Sequence, residues 1–95
     1  MKHLVLLKFD PNYYSDEILE FTKETFASLQ KEVKDIECVN VHSNCVERDS
    51  NMDIMIEMDL SNKTALSTYL NHDIHKHFID VVNDHVTKRV SFDYE

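Results

Sequence analysis

The stretch Lys2-His3-Leu4-Val5-Leu6-Leu7-Lys8-Phe9 decides the fold. Read as a β-strand, it sends His3, Val5, Leu7 and Phe9 to one face and Lys2, Leu4, Leu6 and Lys8 to the other, because successive side chains leave a strand on opposite sides. Both faces are apolar at the centre. A half-exposed strand is polar on one side, so this one needs two covers, helices over one face and something else over the other. In a chain of 95 residues the economical second cover is another subunit. A domain of that size buries only roughly 60–65% of its unfolded surface, and pairing would supplement its core.

Working outward, Asp10, Pro11 and Asn12 close this strand as a turn. Ser15 is the expected cap of a helix carrying Asp16 and Glu17 at its positive end and running to about Lys34. Ile18, Thr22, Phe26, Leu29 and Val33 recur at spacings of three and four and form its apolar stripe. Residues 36–43 alternate as a second strand, 47–51 are a charged loop, and 52–60 are a third strand with Ile54, Ile56, Met58 and Leu60 on one side. Ser61 is the expected cap of a short helix containing Ala65, Leu66, Tyr69 and Leu70. A second helical segment follows over 73–83, with Ile74, Phe78, Val81 and Val82 as its inner stripe. Residues 88–94 are a fourth strand, with Val90, Phe92 and Tyr94 on one face and Arg89, Ser91 and Asp93 on the other. The order βαββαβ describes an α+β, ferredoxin-like fold: an antiparallel four-stranded sheet with helices on one face, and a single domain over residues 1–95.

Composition narrows the functions. The formal charge of −8, with Lys and Arg scattered, repels phosphate backbones and argues against a nucleic-acid partner. No apolar run approaches the roughly 18 residues a membrane span needs, so no membrane association is expected. Met1 leads straight into a strand without the pattern of a secretory signal, and the expected location is cytoplasmic. Cys38 and Cys45, about 23 Å apart if they lie on one continuous strand, read as free thiols. The chain contains no glycine, which excludes phosphate-cradling glycine loops and leaves Asn12, Asn44 and Asn51 as the candidates for any left-handed turn position.

Chemistry concentrates in Tyr69, Asn71, His72, Asp73, Ile74, His75, Lys76, His77 and Phe78, where three of six histidines fall within six residues. Imidazole trades a proton near neutrality, with an unperturbed pKa of about 6.5. His75 precedes Phe78 by three and Ile79 by four, which sets it beside the apolar face. His72 falls at the helix junction, and His77 lies on the outer side beside Asp73. His72 and His75 stand three apart, but a closed metal site needs about four ligands, so neither a metal nor a cofactor is expected. His42 and His85 read as surface or interface residues.

Three blocks carry a family likeness. The opening Lys2, His3, Leu4, Val5, Leu7, Lys8 and Phe9, the block Tyr69, Asn71, His72, Ile74, His75 and Phe78, and the closing Phe92, Asp93 and Tyr94 together resemble the stress-responsive A/B barrel (Dabb) family. That resemblance implies a homodimer whose two sheets close into a dimeric α/β barrel, with a small-molecule pocket between sheet and helices in each subunit. It is also similar to the olivetolic acid cyclase-like proteins of plants, which close a linear polyketide by aldol condensation. On that likeness Tyr69 and His75 match the catalytic tyrosine and histidine, and His3 matches a histidine of the first strand. A further pocket histidine falls at Ile54, and the proline of the usual His-Pro-x-His is Asp73, so activity on the same substrate is not implied.

The reading is therefore a homodimer that binds a small, partly apolar ligand, a lyase or cyclase using enolate chemistry. His75 would be the general base and Tyr69 the hydrogen-bond donor to the enolate oxygen, with His3, Phe26, Ile54 and Phe78 as ligand contacts. One alternative is a non-catalytic stress-response binding or assembly protein. Another is a cofactor-free monooxygenase of the wider dimeric barrel superfamily; the absence of Trp sets the haem-degrading branch low. An open cavity lined by His3, Tyr69 and His75 would favour the enzyme. One filled by Phe26, Ile54 and Phe78 would favour the binding protein.

Overall fold

A computed structural model describes residues 1–95. In chain order it contains β1 (Lys2–Phe9), α1 (Asp16–Glu32), β2 (Ile36–Ser43), β3 (Ile54–Leu60), α2 (Thr64–Leu70), α3 (Asp73–Val82), one 3-10 turn (Asn83–His85) and β4 (Val86–Tyr94). The four strands form one sheet in the order β2-β3-β1-β4, with every neighbouring pair antiparallel. This is the ferredoxin-like α+β arrangement that the order of elements predicts.

Register places the core. His3 pairs with Met58, Val5 with Ile56 and Leu7 with Ile54, so the inward rows of β1 and β3 coincide. Ile54, Ile56, Met58 and Leu60 are almost wholly buried, and β3 shows the strict alternation its sequence carries. Thr22, Thr25, Phe26 and Leu29 of α1 bury the predicted helical stripe against this face. Thr22 is tolerated there because its hydroxyl donates to the Ile18 carbonyl at 2.8 Å, one turn back.

The other face of the sheet has no helix over it. Leu4 pairs with Phe92 and Leu6 with both Val90 and Met55, which gathers these apolar side chains on the bare side. Phe92 is 63% exposed, and Val90 and Tyr94 are also exposed. The double-sided apolar pattern of Lys2–Phe9 thus has one cover, the helices, and one open face.

Several local expectations change. Ser15 is extended at the start of α1, but its hydroxyl caps nothing; its carbonyl accepts from Ile18 and Leu19 instead. Ser61 is not the cap of α2. Its hydroxyl donates to the Asp35 carbonyl, and Asn62 Oδ1 accepts the Ala65 amide at 3.0 Å. No residue has positive φ, so Asn12, Asn44 and Asn51 do not serve as left-handed positions. Side-chain hydrogen bonds shape those turns: Asp10 accepts the Asn12 amide, and Asn51 donates to Asn44 Oδ1 and the Val46 carbonyl. Cys38 and Cys45 are free thiols. No helix is long and apolar enough to cross a membrane.

Candidate functional site

A cavity of about 240 Å³ opens between the sheet and the helices. Its floor comes from β1 and β4. Leu7 pairs with Arg89, Val5 with Ser91 and His3 with Asp93, and all six residues line the cavity. The helices supply Tyr69 from α2, His75 and Phe78 from α3, and Phe26 from α1. Phe26 and Phe78 meet edge to face at 5.5 Å and form an aromatic wall rather than a plug.

His3 is almost fully buried, and both its ring nitrogens are engaged. Nδ1 faces Asp93 Oδ1, and a carboxylate can only accept, so Nδ1 carries the proton. Nε2 lies 3.0 Å from the Tyr69 hydroxyl, which donates to it when the ring is neutral. Asp93, His3 and Tyr69 therefore form one relay, joining the last strand to the first and the first to α2. Burial, with the nearby Asp93 charge, pushes the Tyr69 phenol far above its usual range, against a smaller opposing effect of Arg89. Tyr69 is thus a proton donor at neutral pH, not a base.

His75 is the complementary group. Its Nδ1 donates to the Leu70 carbonyl at 3.1 Å, which fixes the neutral tautomer with the lone pair on Nε2, and Nε2 has no protein partner. Its ring stands edge-on to Tyr69 at 5.1 Å. Burial lowers the His75 pKa; the Leu70 carbonyl opposes that shift, and the charges of Arg89 and His3 add to it. A base whose folded pKa is depressed stabilises the fold fully above the unfolded pKa of about 6.5 and loses that contribution as pH falls through the folded value. Replacing His75 by Gln should flatten this slope: between pH 8 and pH 5.5 the urea midpoint of wild type should fall more than that of the variant.

Of the ligand contacts expected from the sequence, His3, Phe26 and Phe78 line the cavity with Tyr69 and His75, and Ile54 does not. Ile54 sits opposite Leu7 and Ser43 in the closed core, where it borders a separate, more open depression of about 390 Å³ at the β2–β3 loop. Ile56, one inward step along β3, takes its place in the cavity wall. That larger depression has no relay of this kind, so the smaller cavity is the one with a chemical case. His72 caps α3, accepting the Ile74 amide on Nδ1 at 3.1 Å. His77 is exposed, His42 is exposed near Glu57, and His85 stacks on Tyr13 at 3.7 Å.

Arg89, Ser91 and Asp93 were missed as site residues. Alternation separates them from Val90, Phe92 and Tyr94 but does not say which set faces inward.

The sequence matches the family model of the Stress responsive A/B Barrel Domain over residues 1–95. The chain belongs to this family. Several solved structures share the barrel-domain fold. A dimeric ferredoxin-like protein of unknown function from Bacteroides fragilis superposes with a TM-score of 0.84 at 22% identity, covering 99% of this chain and 93% of that one. A putative antibiotic biosynthesis monooxygenase from Bacteroides thetaiotaomicron gives 0.81 at 15% identity, covering 100% and 87%. Hydroxynitrile lyase from Passiflora edulis gives 0.78 at 11% identity, covering 98% and 89%. At these identities the likeness is one of fold. No curated protein sequence matches the chain.

Proposed function

We propose that this Dabb-domain protein is a homodimeric, cytoplasmic lyase or cyclase that binds a small, partly apolar carbonyl compound between sheet and helices and acts on it through an enolate. One observation carries the reading. The His75 proton is held on Nδ1 by the Leu70 carbonyl, so a free Nε2 base stands in the same cavity as a phenol that stays protonated.

His75 Nε2 removes the proton from a carbon next to the carbonyl, and the Tyr69 hydroxyl donates to the oxygen on which charge develops. The enolate carbon then attacks a second carbonyl, or expels a leaving group, and the His75 imidazolium returns its proton to the oxygen or group that becomes basic. When His3 is protonated, Nε2–H donates to the Tyr69 oxygen while Asp93 holds Nδ1–H. The phenol proton is then free to face the ligand.

Fold neighbours include a hydroxynitrile lyase, which supports a lyase reading, and antibiotic biosynthesis monooxygenases, which keep the monooxygenase alternative open. An open cavity lined by His3, Tyr69 and His75 supports an enzyme over a purely structural barrel. Dimerisation is supported by the uncovered apolar face of the sheet and by two fold neighbours described as dimeric.

The test is deuterium incorporation from heavy water into a panel of small aryl and alkyl ketones, followed by proton NMR. Exchange at the α-carbon above the protein-free rate is expected for at least one member. A panel that exchanges only at the background rate would leave a binding protein.

A further inference from the structure

Arg89 is the one Lys or Arg side chain in the cavity wall, and it has no protein counter-ion. The five ion pairs of the chain use Lys2, His3, Lys23, His42 and Lys63. Arg89 lines the cavity from an exposed position, and its guanidinium forms no hydrogen bond to the protein, so it is free to meet a ligand. The one carboxylate in the same wall, Asp93, is committed to His3. We propose that Arg89 is the anchor for a carboxylate, so that the ligand of this cavity is a small carbonyl acid rather than a neutral ketone; this rests on the enolate reading above.

The placement gives the ligand a direction. Arg89, Ser91 and Asp93 follow one another along the inward face of β4, each about 7 Å from the next, so Arg89 and Asp93 mark opposite ends of the floor. A carboxylate is drawn to the Arg89 end by a planar fork of N–H donors that matches its two oxygens, and is repelled from the Asp93 end. The rest of the molecule then runs over Ser91 toward Tyr69 and His75. Volume limits its size: about 240 Å³ holds roughly eight waters at about 30 Å³ each, which suits an acid with one ring or a short branched chain and not a long polyketide.

Occupation of Arg89 also bears on the base. Its charge is felt at both Tyr69 and His75, lowering each. A bound carboxylate cancels that charge and makes His75 the stronger base when the correct ligand is present.

The experiment is an NMR titration of the intact protein with 3-phenylpropanoate and with its neutral amide, 3-phenylpropanamide, following the His75 ring resonances. Wild type is expected to bind the acid about tenfold more tightly than the amide, a difference of about 1.4 kcal/mol. Arg89→Gln should remove that preference, weakening acid binding about tenfold relative to the amide. Lys88→Gln, a cation on the opposite side of the same strand, should keep it. A wild type without preference for the acid, an unchanged preference in Arg89→Gln, or an equal loss in Lys88→Gln overturns the proposal. Preference for the acid together with no α-exchange in any ketone would separate a carboxylate site from the failed enolate chemistry. Binding of neither probe overturns the pocket reading itself.

Discussion

Replacing His75 by Ala is expected to lower the rate of α-proton exchange by about 10²–10⁴-fold, the range that a positioned general base supplies. The fold should survive, because His75 lies partly exposed and makes one hydrogen bond, to the Leu70 carbonyl. Tyr69→Phe behaves differently. It removes the donor to the developing oxyanion, for which a loss of about 10²–10³-fold is expected. It also strips His3 Nε2 of its partner in a buried setting, at a cost of roughly 1–3 kcal/mol in stability. Paired measurements of exchange rate and urea midpoint separate the two: rate alone for His75→Ala, rate and stability together for Tyr69→Phe. Exchange at the wild-type rate in His75→Ala would exclude it as the base.

Phe92→Asp is expected to break the dimer. Phe92 is 63% exposed on the helix-free face, alongside Leu4, Leu6, Val90 and Tyr94. Two such faces packed across a two-fold axis bury it twice, once from each copy. Burial of a phenylalanine side chain contributes about 1.5–3 kcal/mol, so the pair accounts for about 3–6 kcal/mol, or roughly 10²–10⁴-fold in the dissociation constant. Two carboxylates forced into the same interface add to the loss. Sedimentation should show wild type at twice the 11.2 kDa chain mass and the variant at the chain mass. Wild type sedimenting as a monomer at micromolar concentration would remove the interface. Since no cavity-lining residue is touched, ligand binding by the variant would show whether a single subunit holds a complete site.

Much of the frame was legible because it rests on local periodicity. His3, Leu7 and Phe9 of Lys2–Phe9, the row Ile54, Ile56, Met58 and Leu60, and Thr22, Phe26, Leu29 and Val33 of the helical stripe are buried as the periods mark, while the second apolar row of Lys2–Phe9 lies on the open face. The family likeness, together with the spacing of His75 from Phe78 and Ile79, singled out Tyr69 and His75, and the two share one cavity. Caps were less legible. Ser15 and Ser61 have the right chemistry in the right place, but a hydroxyl at a helix start has competing acceptors, and Ser61 takes the Asp35 carbonyl.

By itself the sequence determined the order and kind of the elements, the ferredoxin-like fold and the need of β1 for two apolar covers, since these follow from the backbone's own periods of 2 and about 3.6 residues. Only the tertiary structure decided which way β4 faces. In an isolated amphipathic strand the apolar row is expected to turn inward. Here the register against β1 sends Val90, Phe92 and Tyr94 to the open face and sets Arg89, Ser91 and Asp93, themselves exposed, on the cavity side. That choice creates the site, because it ties Asp93 to His3, and through it to Tyr69, 66 residues further along the chain. Alternation tells the two sides of a strand apart, but inward and outward are properties of the packed molecule.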